Sequence, residues 1–344
     1  MKALALTGLK KLEFLEVPKP KIVKDTDVLL KIAVVGVCGS DVHYYETGRV
    51  GSQVVTYPYL IGHECSAIVE QVGKDVKSIK PGDRVVVEPA VSCYNCDQCK
   101  MGRENTCRNL SFLGTPGQGD GCLCEYMVMP QECCLVINDK LTLIQAALCE
   151  PFTIGLYAAK QGQGNYRDKI AILGSGPIGL STMTAAGIKG AKKVYMTDKL
   201  DYRLNIAKKQ GADWTGNPDR IDIVEQIKKL EPLGVDVVYE CAGQQSTIDQ
   251  ALEILRPGGK LVLVGIPRES RISFSIDFAR RKEITIVNIR RQNRTTEESI
   301  ELIAEKKVNV DFMVTHKFPF SDAIKAFELV ADYNDGVVKA MVEF

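Results

Sequence analysis

The chain has 344 residues, 44 lysines and arginines against 43 acidic residues, and twelve cysteines. So even a balance gives no long-range pull toward phosphate backbones or anionic membranes, which excludes nucleic-acid and membrane-surface roles at the outset. The length suits two domains, and no window approaches the roughly 18 apolar residues of a membrane span. The opening residues MKALALTGLKKLEF alternate apolar and polar without the apolar core of an export signal. The expected compartment is therefore the cytoplasm, where thiols stay reduced and clustered cysteines favour metal over disulfide.

In chain order, the runs VLLKIAVVGV (28–37), SAIVEQVG (66–73) and RVVVEPA (84–90), the last after the turn KPGD, predict a loop-rich β domain up to about residue 150. Within it CYNCDQCKMGRENTC has the spacing C-x2-C-x2-C-x7-C. Four thiolates from one short loop can close a tetrahedron around zinc without help from the rest of the fold, so Cys93, Cys96, Cys99 and Cys107 predict a structural zinc lobe (93–107). A closed tetrahedron has no position for substrate, and the chemistry must lie elsewhere. Cys38 in VCGSDVHYY, the pair His63 and Glu64 in GHECSA, and Glu150 in LCEPFTIG are possible ligands of a second, open site with mixed soft and hard donors. The other cysteines, Cys65, Cys122, Cys124, Cys133, Cys134 and Cys241, read as small buried apolar side chains.

From about residue 168 near-continuous apolar strands alternate with amphipathic helices: KIAILG, PIGLSTMTAAGIKG, KVYMTD, LDYRLNIAKKQG, VDVVYECAG, QSTIDQALEILRPGG, KLVLVGI, EITIVNI. That rhythm predicts a parallel sheet covered on both faces. GSGPIG follows the first strand and opens a helix, the arrangement that cradles a dinucleotide. Gly174 allows the tight turn, Gly176 lets backbone approach a pyrophosphate, and Gly179 lets helix pack on sheet, while Pro177 and Ile178 begin the helix whose free N–H groups face the anion. Asp198 closes the second strand, where a carboxylate accepts from ribose hydroxyls and repels a 2′-phosphate, favouring NAD over NADP; Lys199 and Arg203 lie close enough to soften that repulsion. From about residue 295, EESIELIAEKK and SDAIKAFELVA predict helices, and GVVKAMVEF a last strand that returns to the first β domain.

Together, CGSDVHYYETGRVG, GHECS, KPGDRV, the four-cysteine loop, DG-x-x-x-EY at Asp120 to Tyr126, EPFTIG, GSGPIG and Asp198 resemble the zinc-dependent medium-chain dehydrogenases over essentially the whole chain, most closely the sorbitol (polyol) dehydrogenase branch. The resemblance implies a GroES-like β-rich catalytic domain (1–153 and 294–344) plus a Rossmann doubly wound cofactor domain (154–293). It implies two zinc ions per chain and NAD as cofactors, a small-molecule polyol as substrate, and association into a dimer or homotetramer.

Residue by residue, Cys38, His63 and Glu64 match the catalytic zinc ligands. Glu150 matches a glutamate that meets the metal directly or through water, with Cys149 a lesser rival for that place. Asp41 matches the acid that orients the histidine, and Ser40 and His43 the relay that carries the alcohol proton outward. Tyr44, Phe112, Thr115 and Arg290 match positions near substrate. Arg291 departs from the pattern, since relatives commonly carry tyrosine there, and two adjacent arginines suit a sugar acid or sugar phosphate as the alternative substrate. Side chains of strand neighbours point to opposite faces, so one of the two arginines is expected to face away. A zinc- and NAD-binding protein without turnover is the non-enzymatic alternative, which an intact ligand set argues against.

Overall fold

The computed structural model describes residues 1–162 and 168–344. Two compact units result: residues 1–150, 296–306 and 313–344 form the first, and 151–295 with 307–312 the second.

In the first unit, seven strands form one sheet among the described residues, in the order Cys134–Ile137, Arg84–Val87, Glu64–Val72, Asp27–Gly36, Lys339–Glu343, Val314–Pro319, with Tyr126–Pro130 also paired to Asp27–Gly36. The central strand Asp27–Gly36 buries nearly every residue, which is why it reads as an apolar run rather than an alternation. Val28, Leu30, Ile32 and Val35 from it share a core with Ala67 and Val69 of its neighbour, with Val85 one strand further out and with Phe327 of the helix Ala323–Ala331. The last strand does return: Met341, Val342 and Glu343 pair antiparallel with Gly36, Val35 and Val34.

Six parallel strands make the sheet of the second unit, in the order Trp214–Gly216, Lys193–Thr197, Lys169–Leu173, Val235–Glu240, Leu255–Leu263, Thr285–Asn288. Numbered along the chain this is 3-2-1-4-5-6, the doubly wound order whose reversal point lies at the first strand. Ile170, Ala171, Ile172 and Leu173 of that strand are wholly buried, as a sheet covered on both faces requires. Ile223, Ile227, Ile248 and Leu252 from the helices Ile223–Leu230 and Gln245–Ile254 pack against one face. No helix among the described residues is long and apolar enough to cross a membrane.

Candidate metal centres and cofactor turn

Antiparallel pairing assembles the open site. Gly36 sits opposite Glu64, so the end of one central strand lies beside the start of the next. Two residues past Gly36 the chain reaches Cys38, the N-cap of the helix Gly39–Thr47, and one residue before Glu64 stands His63. The donor atoms of Cys38, His63 and Glu64 all lie within 4.8 Å of one another, with His63 and Glu64 buried and Cys38 half-buried. A thiolate, an imidazole and a carboxylate at that spacing fit one tetrahedral zinc with a fourth position left over.

Around the cluster, Asp41 Oδ1 lies 3.4 Å from His63 Nδ1 and accepts from the Gly62 backbone N–H at 3.4 Å, with the carboxylate wholly out of solvent. That contact directs His63 Nε2 toward the other two donors. Burial works against a charged His63, but Asp41 and then Cys38 outweigh it and hold its pKa well above 6.5 in the metal-free chain. A metal ion held here would have to displace that proton. Ser40 Oγ donates to Cys38 Sγ at 3.4 Å, one helical turn from His43. The Phe112 ring lies 5.4 Å from the His63 ring, Thr115 is buried three residues on, and Tyr44 is buried with its hydroxyl donating to Gln53 Oε1 at 3.1 Å.

Glu150 is not among the three clustered donors. It sits buried on the helix Leu143–Gly162, and burial pushes its carboxyl up to about 8 while His63 pulls the other way and Glu64 and Glu88 add to the rise. The Cys149 thiol donates to the Gln145 carbonyl at 3.4 Å and burial raises its pKa, which leaves it a packed thiol.

Lys339 was not foreseen in the sequence as a member of this site. Only 2 % exposed, it donates from Nζ to Glu64 Oε1 and Oε2 at 2.8 and 2.7 Å and to the Val37 carbonyl at 3.1 Å. Burial opposes its charge, and Glu64 first among several groups raises its pKa, so it stays an ammonium. The signal was present in GVVKAMVEF: a lysine inside an apolar strand is rarely buried without a partner of opposite charge.

In the four-cysteine loop, Sγ–Sγ separations are 3.5 Å for Cys96 and Cys99, 3.9 Å for Cys96 and Cys107, and 3.4 Å for Cys93 and Cys107. These exceed a disulfide bond of about 2.05 Å and approach the edge, about 3.8 Å, of a tetrahedron with Zn–S near 2.3 Å. Backbone N–H groups of Cys93 and Asn109 point at Cys107 Sγ at 3.3 and 3.4 Å. Hydrogen bonds from the Asn95 and Cys96 backbone bring the Cys93 thiol down to about 6, whereas burial first of all pushes Cys99 up to about 12. Cys99→Ser is expected to remove one zinc ion and lower the melting temperature by roughly 5 °C. Metal analysis beside calorimetry checks it, and an unchanged zinc content would exclude a metal from the lobe.

At the glycine turn, Gly174 has φ +107° and a Cβ there would meet the Ala242 backbone nitrogen at 2.9 Å. Gly176 caps the helix Pro177–Ile188, with Pro177 and Ile178 in its first turn. Gly179 is the tightest position, for a Cβ would stand 1.9 Å from the Gly174 carbonyl oxygen, with Ile172 Cγ2 next at 3.5 Å. Asp198 Oδ2 accepts from Ser175 N–H at 2.8 Å and Oδ1 from Leu200 N–H at 2.9 Å, so the acid ties the second strand to the turn. Arg203 Nη1 lies 4.0 Å from Asp198 Oδ2 and borders Gly176, while Lys199 points to Asp219 at 3.4 Å.

The strand expected to carry the two arginines ends at Asn288. Arg290 is exposed, and Arg291 is half-buried with φ +54°, so alternation across a strand does not govern where they point. Both arginines lie past the end of the strand, so the argument from strand alternation does not apply to them.

Residues 24–139 match the alcohol dehydrogenase GroES-like domain, and residues 177–305 the zinc-binding dehydrogenase domain. A sorbitol dehydrogenase from Bacillus subtilis is 38% identical over 99% of this chain and 97% of its own. The chain belongs to the zinc-dependent medium-chain dehydrogenases, in their polyol dehydrogenase branch. An L-idonate 5-dehydrogenase from Vitis vinifera is 39% identical over 89% of this chain and 85% of its own. Among solved structures, an alcohol dehydrogenase from Escherichia coli CFT073 complexed with NADH superposes with a TM-score of 0.90 at 29% identity, covering 100% of this chain and 99% of that one. The GroES-like and doubly wound architecture expected from the sequence is the one this family shares.

Proposed function

We propose that this dehydrogenase oxidises a secondary hydroxyl of a polyol of the sorbitol, xylitol or iditol kind to a ketone, passing hydride to NAD and releasing one proton. The observation that carries this is the convergence of Cys38, His63 and Glu64 within 4.8 Å in a chain that also holds the glycine turn and Asp198. We assign the first unit to catalysis and the second to the cofactor.

When bound, zinc supplies a Lewis acid that makes a hydroxyl acidic near neutral pH. Cys38, His63 and Glu64 would hold it, and Asp41 would fix the tautomer and angle of His63. Ser40 Oγ, already beside Cys38, takes the hydroxyl proton and His43 carries it on toward solvent. Glu150, whose carboxyl burial pushes up to about 8 in the metal-free chain, would lie beside the metal directly or through water. Tyr44, Phe112 and Thr115, in the unit that carries the metal donors, are read as substrate contacts, and Arg290 of the second unit as a separate candidate. Asp198 selects NAD: Asp198→Ala is expected to raise the KM for NAD about tenfold and to cut the preference over NADP by roughly one to two orders of magnitude. Paired kinetics with both cofactors test this, and an unchanged ratio removes Asp198 from the choice.

The enzyme is read as cytoplasmic, since all twelve cysteines are free and suit a reducing compartment, and as a homotetramer. The exposed apolar side chains Ile266, Phe274, Ile276 and Phe278 in the second unit, whose sheet ends at the edge strand Thr285–Asn288, support association.

A sugar acid or sugar phosphate is the second reading, favoured by the adjacent Arg290 and Arg291 and by the L-idonate dehydrogenase among the relatives. A panel of polyols, sugar acids and sugar phosphates assayed for NAD reduction, with and without a chelator, separates the two. Highest kcat/KM on a neutral polyol, abolished by the chelator, supports the first; highest kcat/KM on an anionic sugar supports the second.

A further inference from the structure

Glu64 has two claimants. Its carboxylate is one of the three clustered donors, yet both of its oxygens also accept from Lys339. The ammonium cannot follow the carboxylate far. Val37 holds it by a carbonyl, and the pairing of Met341 with Gly36 fixes the strand that carries it. Gly36 completes the cradle, because a Cβ there would lie 2.3 Å from Glu64 Oε2. The carboxylate occupies the space that any other residue at that position would fill.

A neutral donor could orient Glu64 without the desolvation penalty of a buried ammonium. A full positive charge has a further effect. A thiolate and a carboxylate neutralise a dication, and the ammonium adds one positive charge to that sum, in surroundings where charges are poorly screened. The same ammonium weakens the carboxylate as a ligand by sharing its lone pairs.

We propose that Lys339 is a positioning residue that makes Glu64 a shared, detachable ligand of the metal and keeps the centre more electropositive than Cys38, His63 and Glu64 alone would leave it. This rests on the reading that those three residues hold a metal ion.

The test uses the full-length chain and its Lys339→Met and Lys339→Arg variants, exchanged with cobalt(II). Visible absorption and the rate of metal loss to a chelator are recorded, and a Cys38→Ser chain loaded alike gives the lobe's own bands for subtraction. Lys339→Met is expected to lose the metal about tenfold more slowly than the parent chain, with shifted bands as the carboxylate closes on the ion. Lys339→Arg, which keeps the charge, is expected to restore both. Parent-like bands with parent-like or faster loss in Lys339→Met overturn the proposal. Should that variant fail to fold, Lys339→Gln is read by the same criteria. A parent chain that takes up metal only in the four-thiolate lobe overturns the metal assignment and the proposal together, whereas two ions with an indifferent Lys339→Met overturn the proposal alone.

Discussion

His63→Ala is expected to leave a folded chain that binds one zinc ion fewer and turns over polyol roughly 10⁴-fold more slowly in kcat/KM. The size follows from the chemistry removed: Lewis-acid stabilisation is worth several kcal/mol, and about 5 kcal/mol corresponds to nearly four powers of ten. The metal leaves because too few donors remain. Cys38 offers one thiolate, and Glu64 is engaged by Lys339 through both oxygens. Zinc sites of this kind need three protein ligands. Asp41, wholly buried, loses its imidazole neighbour, so a modest drop in melting temperature accompanies the loss. Zinc analysis and steady-state kinetics check the result together; an unchanged zinc content with less than tenfold loss of activity would remove His63 from the site.

Gly179→Ala is the second large effect. A single methyl would stand 1.9 Å from the Gly174 carbonyl oxygen, a backbone atom that cannot swing aside as a flexible side chain could. Either the helix Pro177–Ile188 moves off the first strand or the turn opens. Both change the spacing of the N–H groups that receive the pyrophosphate. A loss of about a hundredfold in NAD affinity is expected, near 2.7 kcal/mol, with zinc content untouched because every metal donor lies in the other unit. Fluorescence titration with NADH beside metal analysis reads both halves. Retained affinity would show that the turn tolerates a displaced helix.

How much of this was legible depends on how far apart the cooperating residues lie. The four-cysteine loop was fully legible, because its donors span fifteen positions and need no tertiary fold to meet. The glycine turn was legible for a similar reason: strand, turn and helix are contiguous, and Asp198 closes the very next strand. Cys38 and His63 are different. Their meeting depends on the register that sets Gly36 against Glu64, and spacing along the chain does not reveal a register; donor chemistry made them candidates for one open site, and the resemblance to a family singled them out.

Lys339 lies still further off, pairing with Glu64 across 275 residues. The alternation of its strand indicated burial but no partner. Two of the longer helices in the first 162 residues are not legible either. Gly39–Thr47 buries only a few of its side chains in no clear stripe, and Leu143–Gly162 is apolar over much of its surface and carries Pro151, so neither shows the amphipathic period by which helices are recognised. Where Arg290 and Arg291 point was not legible from strand alternation, because the strand stops at Asn288 and the backbone passes through a positive φ at Arg291.

The central claim is that one zinc ion sits among Cys38, His63 and Glu64 while another sits in the cysteine lobe. X-ray absorption at the zinc edge, with metal content measured on the same sample, tests it most directly. The account predicts about two zinc ions per chain, one ringed by sulfur and the other by a single sulfur with nitrogen and oxygen, the latter lost in Cys38→Ser. A single ion in an all-sulfur shell, unaffected by Cys38→Ser, would contradict it.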